Sequence, residues 1–330
     1  MPERTIIIIG NGKSVKGCIG RLQAFNQQHP TARYHFSVIN DTAHDAIGAS
    51  LKGYYQREGI ANFDSADING AAARDHIQSI DPDYLVSINN HQIIKKGLIR
   101  LPRSGVINFH NAPLPRYGGL NACTWAIVNG ETEHGVTWHF IDEGVDTGDI
   151  IVQKFFPIGP DTTAIQLIMQ CITEGVRLFD TVLGQMMQGS LSRTPQDPDR
   201  RLFYRHDQIP NDGYLDFKWP YRQFDNFVRG LNFGPFPNPL QYPLADFAGR
   251  QFSIDKIRFL KDNQDTPAGQ IVKADGQQLV VAVEDALIDI LAVRTGNGRP
   301  LGLETCIREY GLGAGDRFSP RPAGRPGASA

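Results

Sequence analysis

An amide, an imidazole and a carboxylate stand at Asn108, His110 and Asp146, within the segments GVINFHNAPLPRYGG and DEGVDTGDI. These groups suit acyl transfer to an amine. An attacking amine turns the acyl carbon tetrahedral, builds negative charge on its oxygen and must lose a proton. Asn108 and a protonated His110 can donate to that oxygen, and one such donor is worth roughly 3–4 kcal/mol of barrier in acyl-transfer sites. Asp146 can keep the imidazole protonated and take the amine's proton, directly or through one water. If INFH closes a strand, Asn108 and His110 share one face of a sheet. The run from Asn111 to Gly119 holds two prolines and cannot continue a central strand, so the histidine sits where a strand gives way to a loop. His139, seven residues before Asp146, could orient the site through a hydrogen bond or be a buried structural histidine.

The surrounding pattern supplies the scaffold. Thr5 to Ile9 reads as a buried strand, Gly10-Asn11-Gly12-Lys13-Ser14 as a turn, and the following residues through Phe25 as a helix. Strands are expected at residues 35–39, 84–88, 105–109, 136–140 and 150–156, with helices at 71–80, 121–129 and 162–187. Alternation of this kind implies an α/β fold, a doubly wound and mostly parallel Rossmann-like sheet, with ligands gathering at the carboxyl ends of strands. The Gly12-Lys13 turn is either an anion-binding nest or a tight turn that needs glycine. After Gly189, SLSRTPQDPDRR reads as an exposed connector. The catalytic domain with this connector is placed at 1–205. A smaller β-barrel-like (OB-like) domain is placed at 206–318, from a helix at 221–231 and four short strand-like runs. The Pro- and Gly-rich residues 319–330 are expected to form a disordered tail.

A formal net charge of −2 over 330 residues gives no overall basic field for nucleic acid. Four cysteines without CxxC spacing indicate neither a zinc site nor a disulfide framework, and no metal is called for. Ile6 to Ile9 is too short for a signal or a membrane span, so a cytoplasmic setting without membrane association is expected.

The Asn-x-His strand end, the Leu114-Pro115-x-Tyr117-x-Gly119 turn, the HGVTWHF strand and the Asp146 loop together resemble the formyltransferase family that uses 10-formyltetrahydrofolate. That family includes glycinamide ribonucleotide transformylase and methionyl-tRNA formyltransferase. The resemblance implies a catalytic trio of Asn108, His110 and Asp146. It implies a folate pocket from Gln92, Ile93 and Ile94 with Asp142, Gly144 and Val145, and an acceptor side near Gly12, Lys13, Asn111, Tyr117 and Gly119. Where the family has His-Pro/Gly-Ser-Leu-Leu-Pro, this chain has His110-Asn111-Ala112-Pro113-Leu114-Pro115. That departure and the missing basic excess favour a small-molecule amine acceptor such as an amino sugar, hydroxyornithine or an aminoacyl group. Methionyl-tRNA formylation, formyltetrahydrofolate hydrolysis and folate binding without turnover are the alternatives.

Overall fold

Four consecutive isoleucines, Ile6 to Ile9, are completely buried, which requires a strand covered on both faces. They lie in β1 (Glu3–Gly10), where alternation sends Ile6 and Ile8 into one core and Ile7 and Ile9 into another. The computed structural model describes residues 3–43 and 51–320, so residues 321–330 of the expected tail lie outside the described residues. The chain folds as two units. The first takes Met1–Ala122, Glu133–Phe156 and Ile168–Tyr204, and the second takes Cys123–Thr132, Pro157–Leu167 and Arg205–Ala330.

After β1 come α1 (Gly12–Gln28), β2 (Arg33–Asp41), α2 (Lys52–Glu58), β3 (Asn62–Ser65), α3 (Ala71–Ile80), β4 (Tyr84–Ile88) and α4 (Lys96–Ile99). The chain continues with β5 (Gly105–His110), β6 (Gly118–Gly119), α5 (Ala122–Val128), β7 (Glu133–Phe140), β8 (Ile150–Pro157), α6 (Ala164–Gln188) and β9 (Phe203–Tyr204). The sheet order is β3-β2-β1-β4-β5-β7-β8. Strands β1 to β5 pair in parallel, and β7 runs antiparallel to β5. The expected doubly wound, mostly parallel sheet is therefore present. The chain leaves β1 for β2 and β3, then returns to β4 on the other side, which opens a crevice at the carboxyl ends of β1 and β4. Gly10 is needed there, because a Cβ would lie 1.8 Å from the Ile88 carbonyl oxygen.

Helix α6 presses on the back of β5 and β7. A Cβ at Gly175 would meet the Phe109 ring at 2.1 Å, and Trp138 stacks on Phe179 while donating from Nε1 to the Gly175 carbonyl at 3.0 Å. Phe109 and Trp138 are register partners. Their neighbours, the pairs Asn108–His139 and His110–Thr137, consequently face the opposite side of the sheet.

The second unit holds α7 (Tyr221–Gly230), β10 (Leu244–Phe247), β11 (Arg250–Asp262), β12 (Ile271–Ala274), β13 (Leu279–Ala282), β14 (Ala286–Thr295), β15 (Pro300–Leu301) and α8 (Leu303–Tyr310). Its strands form an antiparallel sheet in the order β10-β11-β14-β13-β12, with β15 on β14. Three register shifts between β11 and β14 curl it into a half-barrel. Phe224, Phe227 and Val228 of α7 share a core with Phe252, Ile254, Ile288 and Ile290 of the sheet. Among the described residues no helix is long and apolar enough to cross a membrane, and all four cysteines are buried free thiols.

Candidate active site

Strand β5 ends at His110, with Asn108 directly across from His139 of β7. Asp146 reaches the same place from the loop after β7, in a left-handed conformation with φ 54°. Its Oδ2 lies 3.8 Å from His110 Nδ1 and its Oδ1 lies 3.7 Å from His139 Nε2, so the carboxylate stands between two imidazoles. A carbonyl only accepts, so His110 donates from Nε2 to the Tyr117 carbonyl at 2.8 Å. Nδ1 is the nitrogen turned to Asp146. Asn108 Nδ2 lies 3.1 Å from His139 Nε2, and His139 donates from Nδ1 to the Phe140 carbonyl at 2.7 Å.

Burial raises the Asp146 carboxyl, but His110, His139, the Gly119 N–H and Arg201 outweigh it and hold the group below the ordinary carboxylate range. Burial also dominates at His139 and pushes its imidazole down to about 4, although Asp146 pulls the other way. Above that pH His139 is neutral. Arg201 then remains as a fixed cation that favours the ionised Asp146.

The loops that carry these groups are held by a segment expected to be an exposed connector. Gln196 donates from Nε2 to the Asp146 and Gly148 carbonyls at 2.9 and 2.7 Å, and Arg201 donates from Nη2 to the Val145 carbonyl at 2.9 Å. Thr194 bridges Ile150, and β9 pairs in parallel with β6. Residues 194–204 thus clasp both the Asp146 loop and the 111–120 loop. They remain polar and largely exposed, which is why their composition resembles a linker. Neither Gln196 nor Arg201 carries a local signal, since each acts on backbone about fifty positions away.

The segments expected to grip folate lie side by side, because Lys96 of α4 pairs with Glu143 of the Asp146 loop. Asp142 accepts from Gly144 N at 2.9 Å and Thr147 Oγ1 at 2.5 Å, which shapes that loop, and a Cβ at Gly144 would meet Thr147 Oγ1 at 2.1 Å. The side chains of two of these residues are engaged within the first unit. The Gln92 side chain donates to Asp41 Oδ1 at 2.7 Å and accepts from Ile68 N at 3.2 Å, so it braces neighbouring loops, while Ile94 is buried in a hydrophobic core. Ile93 and Val145 are 66% and 38% exposed.

On the expected acceptor side, Lys13 is exposed and Gly12 takes φ +84° beside Asn89. The Asn111 carbonyl accepts from His134 Nε2 at 2.9 Å and Cys171 Sγ at 3.8 Å. The Tyr117 side chain is 1% exposed and stacked on Tyr204. Its backbone adopts φ 62°, a strained state for a bulky residue, and its carbonyl fixes His110.

A family model described as formyl transferase matches residues 6–183, more than half of the chain, and the model for the formyl transferase C-terminal domain matches residues 209–311. The chain belongs to the formyl transferase family. This formyltransferase is 34% identical over 268 residues to a methionyl-tRNA formyltransferase of Geobacter sulfurreducens, covering 81% of this chain and 82% of that one. It is 38% identical over 161 residues to the corresponding enzyme of Geobacter metallireducens, covering 49% of this chain and 51% of that one, so that match spans about half the relative's length. Among solved structures, an N-formyltransferase from Helicobacter canadensis in complex with folinic acid and dTDP-3-aminofucose matches with a TM-score of 0.65 at 20% identity. That match covers 86% of this formyltransferase and 98% of the neighbour, and it shows the fold.

Proposed function

We propose that this formyltransferase moves a formyl group from 10-formyltetrahydrofolate to the primary or hydroxylated amine of a small biosynthetic acceptor. The observation that carries the reading is the convergence of Asn108, His110 and Asp146 at the end of β5, with an ionised carboxylate 3.8 Å from His110 Nδ1. The amine nitrogen bonds to the formyl carbon, and Asn108 and His110 donate to the oxygen as it becomes negative. Asp146 receives the amine's proton, directly or through a water. The bond from the formyl carbon to N10 then breaks as the proton held by Asp146 passes to N10, directly or through a water, so that N10 leaves as the neutral secondary amine of tetrahydrofolate. Exposed Ile93 and Val145 on adjoining segments offer apolar surface suited to the flat pterin, and the Asp142-bonded turn supplies a rigid rim.

A small acceptor is supported by the net charge of −2 and by the bound aminofucose nucleotide of the Helicobacter neighbour. Methionyl-tRNA is the second reading, favoured by the names of the two Geobacter relatives. The test offers the enzyme 10-formyltetrahydrofolate with hydroxyornithine, dTDP- and UDP-linked amino sugars and charged methionyl-tRNA, and reads masses for one added formyl group. A labelled small amine is expected. Label confined to methionyl-tRNA would establish the second reading, and formate released without any labelled amine would make the protein a hydrolase.

A further inference from the structure

We infer that His139 is a positioning residue that fixes the amide orientation of Asn108, presenting an N–H rather than a carbonyl oxygen to the formyl oxygen. The inference deepens the formyl-transfer reading and rests on it. Three contacts, taken in order, leave one consistent proton arrangement. The Phe140 carbonyl can only accept, so the 2.7 Å contact places a hydrogen on His139 Nδ1. A neutral ring with its proton on Nδ1 has a bare lone pair on Nε2. The atom 3.1 Å from that lone pair must then be a donor, which is the Asn108 amide nitrogen and not its oxygen. The second hydrogen on the same nitrogen is left to point at an oxyanion formed between Asn108 and His110.

The surroundings agree with this arrangement. Asp146 Oδ1 stands 3.7 Å from His139 Nε2, too far for a hydrogen bond and as expected where no proton lies between them. His139 is 1% exposed, so water does not compete for its lone pair. Its position opposite Asn108 is set by the β5–β7 register, and that register is locked from behind by Phe109, Trp138 and Gly175. Had the ring carried its proton on Nε2, Asn108 would have to turn its oxygen inward, and the donor to the oxyanion would be lost.

Two measurements test this. In the unaltered enzyme, long-range nitrogen NMR of the imidazoles should show His139 as the uncommon neutral tautomer with hydrogen on Nδ1. An Nε2–H tautomer or an imidazolium overturns the inference, and this arm needs neither an acceptor nor turnover. The second measurement is a double-substitution cycle in single turnovers, with 10-formyltetrahydrofolate as donor and hydroxylamine as the amine. His139→Leu should lower the rate on the order of 10²-fold, the loss expected from a misplaced reacting group. His139→Gln, whose oxygen can accept from Asn108, should recover most of it. In an Asn108→Ala background His139→Leu should cost nothing further, whereas a merely structural role would give the same loss in both backgrounds and sink the inference. If the unaltered enzyme fails to formylate hydroxylamine and every amine in the pool, the formyl-transfer reading fails while the NMR result still stands or falls by itself.

Discussion

The backbone N–H of Gly119 donates to Asp146 Oδ2 at 2.8 Å, from a position where no side chain fits. Gly119 has φ +86°, and a Cβ there would lie 2.1 Å from the Tyr204 carbonyl oxygen. The glycine lets β9 approach closely and in doing so aims a donor at the carboxylate. Gly119→Ala should therefore cost at least about 1–2 kcal/mol of stability from the left-handed backbone alone. It should also reduce formyl transfer by more than that stability loss explains, because Asp146 loses an anchor. Thermal unfolding and single-turnover rates on the same preparation check this, and wild-type rates in a folded variant would count against the anchor.

Asp146→Asn keeps the size of the side chain and the loop, and removes the charge and the proton acceptor. Formyl transfer should fall by about 10²–10⁴-fold, the usual span for a positioned acid or base. Binding of tetrahydrofolate, followed by its fluorescence, should be largely kept. A variant that binds and transfers normally would mean that the carboxylate takes no part.

Local pattern carried most of the first unit. The helix Ala71–Ile80 and the strand Tyr84–Ile88 were legible to the residue, because each is a short periodic run bounded by turn residues. β3 was not legible, since Asn62-Phe-Asp-Ser65 is polar and lies at the sheet edge. α8 escaped as well, being eight residues with mixed polarity. In the site, the end of β5 at His110 could be read from the prolines that follow, whereas the Asn108–His139 contact depends on pairing between positions 31 apart. The clasp of Gln196 was hidden for the same reason, and its Pro- and Asp-rich neighbourhood reads as a linker.

Gln196→Ala tests whether residues 194–204 hold the catalytic loop or merely pass by it. Two side-chain hydrogen bonds to the Asp146 and Gly148 carbonyls would go, at a combined cost of about 1–3 kcal/mol. An ordinary exposed linker position would change stability by no more than about 0.5 kcal/mol. The rate of transfer should also drop, with the pH profile shifted if the Asp146 backbone relaxes from φ 54°. Urea unfolding and a rate profile on Gln196→Ala decide between the two, and an unchanged midpoint would return the segment to a linker.

His139 makes stability depend on pH in a window of its own. Burial lowers its imidazole from 6.5 to about 4 in the folded protein. Between those values the unfolded chain binds the extra proton and the folded chain does not, so stability rises with pH across the interval. The contribution is fully present above 6.5 and is lost as the pH falls toward 4, and the shift corresponds to roughly 3 kcal/mol. Asp146, also depressed, acts in the same direction but only below the ordinary carboxylate value of 3.8, so the two contributions separate. His76, lowered by partial burial, adds to the same window and persists in any His139 variant. His139→Gln should therefore flatten the rise in urea midpoint between pH 4 and 6.5 and leave the slope below it intact. A variant with the wild-type slope throughout would show that His139 takes up its proton in the folded protein as readily as in the unfolded chain, so that below pH 6.5 Asn108 faces a donor and not a lone pair.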